Sequence, residues 1–349
     1  MQKDNRFKIR SAREFGMLLL KARTFIALII LVIVFAALEP KFISVDNIKI
    51  IGKHVARYAI LAIGMTYVIV SGGIDLSVGS VAGLSGMIAG GLLVKGLVIK
   101  ALNVALYFNV TIVVLIAVVV GAFVGVLTGL LVSKLKVPAF IATLGTMYIA
   151  RGVALLLNQG ATFPNLVGNE AYFNTGFPFL GSGSILGLPV IIWFMALLAL
   201  LGAYVFKKTP LGWHVYATGG NEKAAKLSGI SVDKIKLFVY IFSAVCAALA
   251  GVFAASELEA AHPATGESWE MNAIAASVLG GTSMAGGLGT IGGTIVGAFV
   301  IGVLNDGMIM LGLSSFWQMV IKGVVIIIAV IIDQTQREFQ RKLALSRKD

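Results

Sequence analysis

Long apolar runs separated by short polar or basic stretches organise this chain. The runs lie near 24–38, 57–71, 76–94, 104–132, 138–157, 189–206, 237–256, 272–287, 289–312 and 314–333. A helix that crosses about 30 Å of hydrocarbon needs about 20 mostly apolar residues. Each run therefore predicts a membrane-spanning helix. The first follows Lys21 and Arg23 and has the look of a signal peptide. It is read as retained, because the later spans need an anchored start. The fold class that follows is all-α: a polytopic membrane protein of about ten transmembrane helices. Between the first two runs, segment 39–57 spaces Ile48, Ile51 and Val55 three and four apart. That spacing predicts an amphipathic helix lying along the outer surface.

Two places break the helical pattern. Residues 71–80 read Ser-Gly-Gly-Ile-Asp-Leu-Ser-Val-Gly-Ser, and 280–290 read Gly-Gly-Thr-Ser-Met-Ala-Gly-Gly-Leu-Gly-Thr. A glycine pair followed by polar residues interrupts a helix at membrane depth. Such a break survives only where protein buries it or where it borders water. Glycine-interrupted segments in the two halves of a transporter point to a translocation path. Both breaks follow spans predicted to run in the same direction, so no inverted repeat is implied. Elsewhere the glycines form small-xxx-small rows: Gly121, Gly125 and Gly129, then Gly289, Gly293 and Gly297, with shorter steps at Gly79/Gly83 and Gly86/Gly90. These rows suit close helix packing in lipid.

Composition agrees with the pattern. Of 349 residues, 58% are hydrophobic and 13% charged, whereas soluble domains carry about 25% charged residues. The 28 Lys and Arg exceed the 16 Asp and Glu, a net +12, and their placement decides what this means. Basic residues crowd into segment 1–23, loop 207–236, tail 337–349 and the turn at Lys134 and Lys136, whereas connectors 158–188 and 257–270 have none. Cytoplasmic loops are the ones that collect Lys and Arg, so both termini are predicted to be cytoplasmic. The domain reading is a basic N-terminal segment 1–23, a transmembrane domain 24–333 and a cytoplasmic tail 334–349. Segment 39–57 resists this division: predicted outside, it carries Lys41, Lys49, Lys53 and Arg57. Nucleic-acid binders gather Lys and Arg on one folded face; no such cluster appears, and no nucleic-acid partner is expected.

Candidate chemistry inside the spans is sparse. Asp75, Arg151, Asp306, Lys322 and Asp333 are the ionisable residues there, and each must face protein or water. Asp75 has two readings. It caps the following helix by accepting from the backbone N–H of Ser77 or Val78, or it lines a solvated path. Pairing with Arg151 stays open. The lone Cys246 and the widely separated His54, His214 and His262 give no metal-ligand grouping, and no cofactor is expected. A phosphate-cradling loop needs G-x-x-x-x-G-K-[ST]. At the single Gly-Lys pair, Gly52-Lys53, Asn47 and His54 occupy the required glycine and hydroxyl positions, so energy must come from a partner or an ion gradient.

The cytoplasmic loop 207–236 contains a short helix. Asn221 caps its start, Glu222 sits in its first turn, Ala224, Ala225 and Leu227 form a small apolar face, and Gly229 ends it. Such a helix is either a plug for a groove on a cytoplasmic partner or an ordinary connector.

Taken together, Gly72-Gly73-Ile74-Asp75-Leu76-Ser77-Val78-Gly79-Ser80, Pro138-Ala139-Phe140-Ile141-Ala142-Thr143-Leu144-Gly145-Thr146, Gly219-Gly220-Asn221-Glu222 with Ala224-Ala225 and Leu227-Ser228-Gly229-Ile230, then Ala273-Ile274-Ala275-Ala276, Gly280-Gly281-Thr282-Ser283 and Gly286-Gly287 carry a resemblance. The chain resembles the permease subunits of bacterial carbohydrate ABC importers, and the ribose type most, from about residue 25 to 333. The resemblance implies a type II importer-like fold with discontinuous helices, in the inner membrane, working as a dimer of two such chains. It implies a periplasmic sugar-binding protein outside, a cytoplasmic ATPase inside and membrane lipids around it. It places the ATPase-coupling segment at Gly219, Gly220, Asn221, Glu222, Ala224, Ala225, Leu227 and Gly229. It places the translocation path near Gly72, Gly73, Asp75, Ser77, Gly79, Gly280, Gly281, Thr282 and Ser283. The expected function is monosaccharide import, with ribose first. The competing reading is an ion-coupled carrier or channel, weakened because Asp75 and Asp306 are the only well-embedded acids. A membrane enzyme stands third, for lack of any catalytic grouping.

Overall fold

The computed structural model describes residues 23–345. Segment 1–23, save for Arg23, and residues 346–349 of the predicted tail lie outside the described residues. Ten apolar helices follow the predicted runs: α1 (Arg23–Leu38), α2 (Val45–Val70), α3 (Val78–Val94), α4 (Val110–Ser133), α5 (Ala139–Leu156), α7 (Val190–Lys208), α10 (Val232–Glu257), α11 (Trp269–Leu279), α12 (Ile291–Met310) and α13 (Ser315–Leu345). Between them come the short α6 (Pro178–Ser182), and α8 (Pro210–Gly220) and α9 (Glu222–Leu227) in the basic loop. Strands are confined to two connectors. β1 (Leu97–Ile99) pairs antiparallel with β2 (Val104–Leu106), and β3 (Ser184–Ile185) with β4 (Leu188–Pro189).

Six of the ten are long and apolar enough to cross a membrane unaided: α2, α4, α5, α7, α10 and α12. The rest differ instructively from expectation. Span 272–287 is predicted as a full crossing, but α11 has 11 residues, about 16 Å at 1.5 Å per residue. It stops at the second glycine break. Span 104–132 begins later, at Val110, where the Asn109 side chain accepts from the Ile112 N–H at 2.9 Å.

Segment 39–57 needs a correction. It is no separate surface helix: α2 runs unbroken for 26 residues from Val45. Ile51 and Val55 are buried and cluster with Phe35, Phe42, Val303, Leu304 and Met308. Two of the basic residues that seemed out of place find partners inside the protein, while Lys41 and Lys49 are exposed. Lys53 and Arg57 pair with Glu257, and His54 donates to Asp306 at 2.7 Å.

The inner half of α2 shows where the core lies. Every residue from Ala59 to Val70 is buried, as a helix that is hydrophobic all round must be. α10 packs beside it and also against α3 and α4. The glycine rows explain how closely. A Cβ at Gly121, Gly125 or Gly129 would come within 2.6–2.8 Å of Ala248, Ala244 or Leu237 on α10. Gly293 and Gly297 likewise lie against the Gly280 and Ala276 carbonyls, seating α12 on α11. In lipid, such backbone approach and interhelical hydroxyls hold helices together. Thr66 supplies the hydroxyl link, bonding Thr294 at 2.7 Å and Ser277 at 3.1 Å.

Candidate functional site

At the first break, α2 ends and the chain turns back into the protein. The Ser71 hydroxyl donates to the Val68 carbonyl at 2.7 Å, and the Gly73 N–H donates to the same carbonyl at 2.9 Å. Gly72 sits at φ +84°, a left-handed conformation that glycine adopts without Cβ strain. The chain then runs along α10. The Tyr240 hydroxyl donates to the Ile74 carbonyl at 3.3 Å, and Ser243 donates to Asp75 Oδ2 at 2.8 Å. Asp75 Oδ1 accepts from the Ser77 N–H at 2.9 Å and the Ser77 hydroxyl at 2.6 Å. The Ser77 N–H bond is the one expected of Asp75, but Ser77 is itself the N-cap of α3 and that helix has no side-chain cap bond, so Asp75 fixes the turn that leads into the helix; it is only 1% exposed. The pairing with Arg151 that the sequence left open is not made: Arg151 donates to the Pro263 and Thr265 carbonyls.

The second break follows the same logic. Gly281, Gly286 and Gly287 have φ between +74° and +89°. The Ser283 N–H donates to the Leu288 carbonyl at 2.8 Å, closing a tight loop. The Thr290 side chain then accepts from the Gly293 N–H at 3.1 Å and starts α12.

The structure brings the two breaks together, and the end of α8 joins them. The Gly287 N–H donates to the Val70 carbonyl at 2.8 Å. A Cβ at Gly286 would lie 2.7 Å from the Gly219 oxygen and 3.1 Å from Gly72 Cα; one at Gly287 would lie 2.8 Å from Gly220 Cα. Tyr216 of α8 donates to the Gly289 carbonyl at 2.6 Å. Three segments far apart in sequence thus meet backbone to backbone. Gly219 and Gly220, expected in the coupling segment, belong to this knot. Of the residues expected on the path, Asp75, Ser77, Gly79, Thr282 and Ser283 are buried within the chain, while Gly72 and Gly281 are exposed. A cavity of about 230 Å³ adjoins the first break, bordered by Ser71, Gly73, Lys136, Pro138, Lys236 and Tyr240.

The loop helix forms as expected at its ends. The Asn221 side chain accepts from the Ala224 N–H at 3.0 Å, and Gly229 sits at φ +85° just past the C-terminus. Its apolar residues do not share one face, which corrects the expectation. Ala225 is 4% exposed and turned into the protein, whereas Leu227 is 89% exposed and Ala224 is exposed. Glu222 and Lys236 form an ion pair at 2.8 Å, tying α9 to α10. At the start of α10, Lys136 donates to Asp233 at 2.6 Å.

Several polar residues of the interior went unseen in the sequence. Tyr240 and Ser243 lie in the middle of an apolar run, and the partners of Arg57 and His54 are about 200 and 250 positions away. Opposite charges near the ends of separate spans were the only signal. Among the described residues, no three His, Cys, Asp or Glu side chains are grouped to hold a metal ion.

Comparison with known proteins places these features in a lineage. The family described as branched-chain amino acid transport system / permease component matches residues 50–330. The ribose import permease of Haemophilus influenzae is 42% identical over 92% of this chain and 95% of its own length. That of Bacillus subtilis is 44% identical over 90% and 92%. The L-arabinose transport system permease of Escherichia coli is more distant, 34% identical over 94% and 92%. No solved structure matches.

Proposed function

This chain belongs to the family of branched-chain amino acid transport system permease components, and from that premise we propose that it is the membrane subunit of an ATP-binding-cassette importer for ribose. The observation that carries the reading is end-to-end similarity: the ribose import permeases align at 40–44% identity over at least nine-tenths of this chain, whereas a xylose permease aligns at 32%. The subunit works with an ATPase on the cytoplasmic side and a sugar-binding protein on the other. Two identical chains form the membrane unit, lipids surround it, and both termini face the cytoplasm.

In this reading α9 is the element that seats in the ATPase, with Leu227 as its tip. Two features support that role. Leu227 is a large apolar side chain left in the open, and α9 is braced from behind by the Glu222–Lys236 pair. α8, immediately before it, touches both glycine breaks through Gly219 and Gly220. Motion at the ATPase therefore has a short route to the membrane-embedded breaks.

The test is reconstitution with a ribose-binding protein and the cognate ATPase in proteoliposomes. ATP-dependent uptake of labelled ribose, competed weakly by arabinose and xylose, is expected. Ribose uptake that follows an ion gradient without ATP overturns the proposal. For the coupling role, Leu227→Asp is expected to abolish ATPase copurification with an unchanged thermal midpoint. Ala225→Asp is expected to lower the midpoint itself, because it forces a charge into the interior. Copurification of the ATPase with Leu227→Asp at the wild-type level refutes the assignment of the tip.

A further inference from the structure

Between α10 and α11 the strap 262–268 forms turns and no helix or strand, and it runs alongside α3. Its Pro263 and Thr265 carbonyls accept from Arg151 of α5. Arg151 is twelve residues from the helix start at Ala139 and five from its end at Leu156, about 18 and 8 Å along the axis; the chain from Ala261 to Gly266 meanwhile tracks α3 from Gly90 down to Gly79, about 16 Å of helix. On the other side, Gly266 lies against Gly79, and the Thr265 carbonyl is 2.6 Å from where a Gly83 Cβ would stand. One edge of the strap is thus buried against α3.

The opposite edge is open. His262, Glu267 and Ser268 are exposed. On α5 beside them, Tyr148 is 68% exposed, and nothing lies within 4 Å of a Cβ built at Gly152. Lipid does not tolerate this surface. Irregular backbone at membrane depth persists only where it is buried in protein or borders water, and a carboxylate there costs several kcal/mol unless it is paired or solvated. The buried break at 71–77 satisfies its own polar groups internally. The strap also satisfies the carbonyls of residues 262–266 within the chain, but it leaves the side chains of Glu267 and Ser268 facing outward.

We propose that the strap 262–268 is the polar lining of the solute passage, with Glu267 and Ser268 as the side chains that meet the hydroxyls of a passing polyol. Arg151 is a positioning residue: its guanidinium is committed to two strap carbonyls and holds the backbone in place. Glu267 offers acceptors and Ser268 both a donor and an acceptor, the complement of a sugar's hydroxyl groups. The passage is closed on its far side by the second copy of the chain, so the inference rests on the permease reading.

The experiment uses the full complex. Cys246 is fully buried, so engineered thiols report against a silent background. Glu267→Cys and Ser268→Cys are treated with a charged methanethiosulfonate reagent, with Leu200→Cys on the exposed apolar face of α7 as the lipid-facing control. The strap thiols are expected to react roughly tenfold or more faster than the control, because a charged reagent does not enter hydrocarbon readily. Strap thiols no more reactive than the control overturn the proposal. This outcome does not depend on which solute is carried, so a failure of ribose uptake with a reactive strap counts against the sugar assignment alone. For the contact role, Glu267→Gln and Ser268→Ala are expected to lower maximal ribose uptake several-fold with unchanged ATPase copurification. Wild-type uptake in both variants overturns it.

Discussion

Replacing Asp75 separates a structural carboxylate from one that the solute meets. Asp75 accepts three hydrogen bonds, from the Ser77 N–H at 2.9 Å, the Ser77 hydroxyl at 2.6 Å and the Ser243 hydroxyl at 2.8 Å. Asp75→Ala removes the two Ser77 bonds that fix the turn into α3, which costs about 1 kcal/mol. It also strands a buried hydroxyl on the break or on α10, at about 1–3 kcal/mol. A loss of about 3 kcal/mol is therefore expected. Asp75→Asn keeps an oxygen for both Ser77 bonds and turns an amide N–H towards the Ser243 oxygen. That arrangement predicts a loss of about 1 kcal/mol or less. The assay is the thermal midpoint in detergent, followed by tryptophan fluorescence, beside ribose uptake by the same variants. Asp75→Asn should unfold near the wild-type temperature and import ribose, while Asp75→Ala fails in both. The reasoning is refuted if Asp75→Asn folds normally yet loses import, because the negative charge itself would then be required.

Two further substitutions test the packing and the polar interior. Gly125→Ala puts a Cβ 2.7 Å from Ala244 Cβ and 2.8 Å from Ile241 Cα; overpacking of this kind costs about 1–3 kcal/mol, read as a lower midpoint. Gly145→Ala meets nothing within 4 Å and should be neutral or stabilising by up to about 1 kcal/mol through helix propensity; equal effects at the two sites would sink the close-packing account. His54→Leu leaves the carboxylate of Asp306, only 5% exposed, without its donor. Breaking such a pair is expected to cost about 2–4 kcal/mol, of which adding Asp306→Asn should restore part; a double variant no better than the single one would show that the stranded charge is not the cause.

How much could be read in advance depended on whether the cause was local. Each of the ten apolar runs contains a helix, and the six that are long and apolar enough to cross a membrane were legible from length and hydropathy; where a span stops short, as α11 does, was not. The Asp75–Ser77 bond and the Asn221 cap were legible because the acceptor and the N–H it bonds lie within three residues. Segment 39–57 was misread because its basic residues looked solvent-bound, and nothing nearby shows that Glu257 pairs with Lys53 and Arg57 across the bundle. α9 was half legible. A six-residue helix has too few turns for its spacing to tell which of Ala224, Ala225 and Leu227 faces inward, and only packing against the protein turns Ala225 in. The strap 262–268 escaped notice because it reads as an ordinary outer connector. Its depth is set by Arg151 and by two glycines of α3, each more than 100 positions away.

The meeting of Gly72, Gly219, Gly220, Gly286 and Gly287 explains why glycine pairs recur in three unrelated loops of one chain. Side chains between two moving segments absorb small displacements by changing rotamer. Backbones in direct contact have no such slack, and close-packed interiors compress little. The Val70 carbonyl, held by the Gly287 N–H at 2.8 Å and crowded by Gly219, therefore binds the end of α2, the second break and the end of α8 into one unit. A shift of α8 must carry both breaks with it or rupture that hydrogen bond. A methyl group at Gly286 would have to push the Gly219 carbonyl away from Gly72, and its own φ of +82° would be strained as well. Glycine is required at these positions for contact between segments as much as for local turn geometry: Gly72-Gly73 and Gly219-Gly220 stand where α2 and α8 end, and Gly286-Gly287 stands in the loop that closes onto both.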